Sequence, residues 1–250
     1  MILIDSNIYA SQANTKAPIS QGNIKESTLS WVEDALTEAQ EEQYSSIVIH
    51  HNVFNHLERM ANHFVVSNSQ AFLKLAESFQ LPISLSGHIH AQNIGHYVNG
   101  DYFMQEISTG AFSVYPSSVG VITLHGRQGQ YQRLLLDVEG WASAQFIEDS
   151  NLLNYKVYMG DVFTQANQKL SKKISQTDDQ VPNQLSEVIQ HLNVALFAGD
   201  IKSIWPELEQ HYPEVVDYIS QDDLSKISSY IELLVSQREK SHHHSVWYYQ

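Results

Sequence analysis

Three of the chain's 13 histidines sit where an imidazole can do chemistry. His50 directly follows the apolar run Ile47-Val48-Ile49, and His51 comes next. His88 and His90 flank one residue after Gly87, behind Ile83-Ser84-Leu85-Ser86. A neutral imidazole offers its lone pair to Zn, Mn or Fe. On an extended backbone, side chains two residues apart point to the same side, so His88 and His90 are expected to project together. Each could then hold one of two neighbouring metals. A bare His-x-His is common, and a single histidine is more often a surface or hydrogen-bonded residue than a ligand. What favours the metal reading is position, since both motifs end an apolar strand-like run, and strand ends are where layered α/β folds build their sites.

The elements that must hold these residues are legible from periodicity. Met1–Ile4 reads as a buried strand ending at the turn formers Asp5-Ser6-Asn7. A polar loop over Ser11–Asn23 leads to a helix with Ser27 or Thr28 as N-cap and an apolar stripe of Leu29, Val32, Leu36 and Ala39. Ile47–Ile49 is apolar on both faces and suits a central strand. A second helix is expected over Asn68–Phe79, ended by Pro82, and then the strand Ile83–Ser86. Asn99-Gly100 marks one hairpin and Gly126–Gly129 another. From about Trp141 onward no strand pattern is visible. Helices are expected over Gln184–Phe197, Ser203–Tyr218 and Asp222–Ser236, the middle one interrupted by Pro213, with Ser175–Asn183 as linker. The spans imply two domains, 1–140 carrying the histidines and 145–250 α-helical.

The bulk numbers exclude several function classes. Of the 250 residues, 42% are hydrophobic, enough for one sizeable core or two smaller ones. A formal net charge of -14 repels a nucleic-acid backbone, so duplex DNA or RNA is not an expected partner. With no cysteine, disulfides, zinc-thiolate sites and thiol catalysis are excluded. No apolar run reaches the length of a membrane span.

The order of elements resembles the second half of calcineurin-like metallophosphoesterases. The resemblance rests on the helix start Leu29-Ser30-Trp31-Val32, on Ile47-Val48-Ile49-His50-His51 and on Gly87-His88-Ile89-His90. It extends to Glu106-Ile107-Ser108-Thr109-Gly110-Ala111-Phe112 with Tyr115-Pro116, so that residues 1 to 138 are covered. It implies a partial layered αββα two-sheet sandwich followed by an α-helical C-terminal region. It implies that His50 and His88 bind one metal and His90 the other, and that His51 faces the pocket in a catalytic role. It implies hydrolysis of phosphoesters, phosphodiesters such as cyclic nucleotides foremost, by two divalent transition metals (Mn, Fe or Zn) in the complete protein. Together with the absence of cysteine, it favours a bacterial cell-envelope or extracellular location.

The departures matter as much. The family's Asp-x-His, Gly-Asp and Gly-Asn-His motifs do not precede His50, Gly22-Asn23 is followed by Ile24, and Asn52 stands where relatives carry Pro. Three neutral histidines hold one transition metal weakly and cannot bridge two, because the two-metal mechanism needs carboxylates. The chain is therefore expected to be an incomplete site, inactive alone, completed by a missing N-terminal half or by self-association, with apolar strand edges left open. The alternative is a non-catalytic binding or regulatory module that keeps the scaffold. Asp137/Glu139 and Asp222-Asp223 read as element ends, the latter opening a helix. His242–His244 reads as a solvated tail, with Trp247, Tyr248 and Tyr249 available to dock it.

Overall fold

The computed structural model describes residues 1–9, 19–39, 45–57, 64–136, 155–174, 184–220 and 229–249. It divides into two compact units. The first comprises Met1–Thr109, Gly120–Gln132 and His244–Gln250, and the second Gly110–Val119 and Arg133–His243. The fold is mixed α/β, with two sheets and seven helices among the described residues.

The first unit runs β1 (Ile2–Ile4), α1 (Glu26–Ala39), β2 (Ile47–Ile49), α2 (Ser69–Ser78), β3 (Ile83–Ser86), β4 (Asn93–Asn99) and β5 (Tyr102–Ser108), then a hairpin of β6 (Ser118–His125) and β7 (Gln128–Leu135). β1 to β5 make a five-stranded sheet in the order β1-β2-β3-β5-β4. Its first four strands are mutually parallel, and β4 runs antiparallel to β5. Alternation splits the sheet's side chains between two cores. Ile4, Ile47, Ile49, Tyr102 and Met104 face α1 and α2, where Val32, Leu36, Phe72, Leu73 and Ala76 close the layer. Ile83, Ile94 and Ile107 face the other way and pack on Tyr131, Trp247 and Tyr249 of a second sheet.

That second sheet corrects the reading of the C-terminus as a solvated tail. His244–Tyr248 is a strand, β8, antiparallel to β7 in a sheet ordered β6-β7-β8. The aromatic residues at its end do dock, and Trp247 and Tyr249 lie in the core between the sheets. Gly129 is paired with Trp247, and a Cβ there would meet the indole ring at 2.1 Å, so the glycine gives the ring its place. His242 is buried and its N–H donates to the Gly199 carbonyl at 2.8 Å.

Other expectations shift by a residue or a turn. Asn99 is the last strand residue, paired with Tyr102, so the hairpin turn is Gly100-Asp101, with Gly100 at φ 58°. α1 begins at Glu26, ahead of the expected cap. β1 is an edge strand, not a buried one: Ile4 faces the core while Leu3 is 65% exposed.

The second unit holds α3 (Tyr155–Ile174), α4 (Leu185–Ala198), α5 (Ile201–His211), α6 (Pro213–Ile219) and α7 (Ser229–Ser236). α3 falls within the span expected to be α-helical, at a place where no individual helix is expected from the sequence. α4 presents Leu185, Val188, Ile189, Leu192, Ala195 and Leu196 to the core and ends on Gly199 in the left-handed conformation at φ 71°. The helix expected over Ser203–Tyr218 is two helices, because Pro213 cannot continue one and instead starts α6. Asp137, Glu139, Asp222, Asp223 and the 175–183 linker lie outside the described residues. No helix among the described residues is long and apolar enough to cross a membrane.

Candidate metal centre

Because β1, β2 and β3 are parallel, their carboxyl ends share one edge of the sheet. That edge collects Asp5 and Ser6 after β1, His50 and His51 after β2, and His88 and His90 after β3. It is the edge at which open α/β sheets bind ligands.

His50, His51 and His88 converge there, with one ligand nitrogen from each lying within 4.8 Å of the others. His50 Nε2 and His88 Nδ1 are 3.0 Å apart, so one donates its N–H and the other accepts. Two nitrogens on one tetrahedral ion sit about 3.3 Å apart, which follows from metal–nitrogen bonds of about 2.0–2.1 Å. A small opening of this pair would admit an ion. Phe64 lies against His88 with ring centroids 5.3 Å apart and walls that side.

His51 is differently committed. Its ring is buried, Nδ1 lies 2.7 Å from Ser6 Oγ, and Nε2 lies 3.0 Å from the Ser20 carbonyl. A carbonyl only accepts, so Nε2 carries the proton, and in the neutral ring Nδ1 accepts from the Ser6 hydroxyl. No ring nitrogen is left over for a metal or a substrate proton in this arrangement. The Ser20–Gly22 loop lies directly on the ring, where a Cβ at Gly22 would come within 2.4 Å of it. Asn7 bridges to Gly22, and the Asn23 N–H donates to the Ser6 carbonyl at 2.8 Å, which fastens the loop.

His88 and His90 do not project together from an extended strand. Both are in the left-handed conformation, at φ 63° and 57°. The turn is pinned from its start: Gly87 N–H donates to the His50 carbonyl at 3.0 Å, and Ser108 Oγ donates to the Gly87 carbonyl at 3.0 Å. Alternation fails once the backbone leaves the β region. His90 is exposed and outside the three-histidine cluster, yet near enough for its charge to lower the pKa of His50.

Electrostatics suit neutral imidazoles. Desolvation is the largest cause holding His50 below its ordinary value, with His90 adding to it and Asp5 opposing. Desolvation also lowers His51, against the opposing hydrogen bond to Ser20. Asp5 is the nearby carboxylate that the sequence treated only as a turn former. Its own carboxyl is held below the usual range, first by the Tyr9 hydroxyl at 2.5 Å and then by the Asn7 N–H at 3.0 Å. Those bonds turn both of its oxygens towards Asn7 and Tyr9. No carboxylate joins the histidine cluster among the described residues. The donor set therefore fits two ligands of one ion and falls short of a bridged pair. A concavity of about 700 Å³ that does not include the histidine cluster lies within the second unit, among Tyr115, Arg133, Asp161, Gln190, His191 and Asp200.

Comparison with known proteins adds the following. Residues 137–241, less than half of the chain and all in the second unit, match the family described as the C-terminal domain of cyclic nucleotide phosphodiesterase. No curated protein matches the chain. Among solved structures, a dimetal phosphatase from Danio rerio aligns at 22% identity with a TM-score of 0.34, covering 46% of this chain and 37% of that one. The chain thus spans little more than a third of that relative's length. The family match relates the helical part of the chain to phosphodiesterases.

Proposed function

We propose that the chain is the histidine-bearing part of a metal-dependent phosphoesterase of the calcineurin-like kind. The observation that carries the reading is the meeting of His50 Nε2 and His88 Nδ1 at 3.0 Å on the carboxyl edge of the parallel sheet. Similarity of residues 137–241 to a phosphodiesterase C-terminal domain supports phosphodiesters, cyclic nucleotides among them, as the substrate class. His50 and His88 would hold one divalent ion and His90 would serve a second. When bound, such a pair polarises the phosphoryl oxygens and supplies a hydroxide nucleophile. His51, locked between Ser6 and Ser20, fixes the loop beneath that site. The carboxylates that a bridged pair requires would come from outside the described residues, either from an N-terminal half or from a second copy.

The test combines metal binding with turnover. Zn and Mn are titrated into the chain, and hydrolysis of an activated phosphodiester is followed. The expected outcome is fewer than two ions held per chain, loss of that binding in His50→Ala and His88→Ala, and negligible turnover by the chain alone. Binding that survives both substitutions would sink the reading. Rapid Mn-dependent turnover by the bare chain would overturn its incompleteness. A second reading, a non-catalytic binding module, is favoured by the lack of any carboxylate in the cluster among the described residues. It would prevail if supplying the N-terminal motifs on a second polypeptide produced no activity.

A further inference from the structure

Glu106 is fully buried on β5, in a motif singled out from the sequence for its resemblance alone. It faces the α-helical layer, and a carboxylate there must be fully partnered to be tolerated. Its partners are found in one place. Val53 N–H reaches both oxygens at 3.0 Å, Phe54 N–H reaches Oε2 at 3.4 Å, and His56 Nε2 donates to Oε2 at 2.7 Å. The other nitrogen of His56 meets the Asn93 side-chain amide at 3.1 Å. Gly95 is paired with Glu106 across β4 and β5, and a Cβ on it would come within 2.7 Å of the His56 ring. Glycine at that position lets the imidazole lie across β4 and reach the carboxylate.

Among the described residues, the hydrogen bonds to the Glu106 carboxylate come from the segment that follows His50 and His51. The same segment is tied one residue earlier: Asn52 Nδ2 donates to Ser86 Oγ on β3 at 2.8 Å, and Asn52 N–H donates to the Phe64 carbonyl at 3.0 Å. β2 is only Ile47–Ile49, so His50 leaves the sheet with little strand behind it. The grip that sets its direction is downstream. We infer that Glu106, with His56 as its partner and Gly95 as the space for that partner, is the positioning residue of the histidine loop, holding the His50 and His88 imidazoles in register for a divalent cation. The inference rests on the proposed metal site. It names residues that touch neither metal nor substrate and act through the backbone at Val53.

The test uses the full chain with Co2+ as probe, because its visible absorption reports the ligand set. Glu106→Gln, His56→Gln and Gly95→Ala are compared with wild type. Asn99→Ala, on the exposed bond to Glu77, is the control. The expected result is Co2+ binding weakened about tenfold in the first three, the range seen when groups behind metal ligands are removed. The absorption band at saturation should also change, and Glu106→Asp should recover part of the loss. His56→Gln and Gly95→Ala keep the carboxylate and stand in if Glu106→Gln fails to fold. Wild-type affinity and band in all three would overturn the inference. In metal-free protein, imidazole nitrogen shifts of His50 and His88 give a separate reading. If wild type binds no cobalt, the metal proposal fails; unchanged nitrogen shifts in the variants would then overturn the positioning role as well, and altered shifts would uphold it.

Discussion

At the scale of single residues, the chemistry of this edge depends on which imidazole nitrogens are committed. Ser6 and Ser20 hold His51 in one tautomer, while His50 Nε2 and His88 Nδ1 meet each other. Ser6→Ala removes a buried donor and leaves Nδ1 unsatisfied, which costs about 1–3 kcal/mol. Denaturant unfolding should show that loss, and long-range proton–nitrogen spectra should show His51 no longer in a single tautomer. The lowered pKa values of His50 and His51 make a second expectation, with a definite sign. Their unfolded value is 6.5 and the folded value is lower, so below pH 6.5 the unfolded chain binds more protons. Their contribution to stability is complete above 6.5 and is lost as pH falls through 6.5 towards the folded value. Asp5, with its pKa lowered from 3.8, contributes only to a loss at more acidic pH. The midpoint of thermal unfolding should therefore fall between pH 7.5 and pH 5, and His51→Asn should flatten that fall.

At the scale of elements, the outcome depends on which strands have neighbours. β8 and the residue after it supply Trp247 and Tyr249 to the core between the sheets, and Tyr249 OH lies 2.7 Å from Ser46 Oγ. Gln105 Nε2 donates to the Val246 carbonyl at 3.0 Å, a second tie from the five-stranded sheet. Trp247→Ala should cost about 3–5 kcal/mol through the lost burial and the cavity left behind. Gly129→Ala should cost about 1–3 kcal/mol by forcing the indole out of its place. Denaturant midpoints of both variants check this, and an exposed control such as Tyr248→Ala should stay near wild type. β2 is legible as the continuous apolar run Ile47-Val48-Ile49, and β3 as a short run holding Ile83 and Leu85 between the breakers Pro82 and Gly87. β8 was not, because its five residues carry His and Ser among the aromatics, and only pairing with β7 makes them a strand. α3 has a weak apolar period, so its sequence announces it poorly.

At the scale of the whole molecule, the chain enters and leaves each unit more than once. The family match falls entirely in the second unit, whereas the histidine cluster lies in the first. One cut does not separate them, since His244–Gln250 belongs with the unit that begins the chain. A chain ending at Leu136 should therefore melt lower than the full chain and bind a hydrophobic dye. Removing residues 175–183 from the full chain should do neither to the first unit. Hydrogen exchange at Ile83, Ile94 and Ile107, which face β7 and β8, measures the difference directly.

The sequence by itself determined that strands carry His50 and His88 to loops, that helices separate those strands, and that no cysteine chemistry operates. These are properties of short stretches, fixed by side-chain period and by breakers such as Gly87 and Pro82. Tertiary structure alone decided which histidines meet and which nitrogens they leave. His51 is occupied because a loop some 30 residues away, starting at Ser20, lies on it. His90 stands apart because the turn at Gly87 is bonded to His50 and to Ser108 of β5 and leaves the extended conformation. Glu106 acquired its role only when β5 came alongside β3 and β4 and the segment after His51 folded down onto it. Hydrogen bonds between residues far apart in the chain have no period to read, so a sequence can name the candidate groups while the fold determines which of them meet.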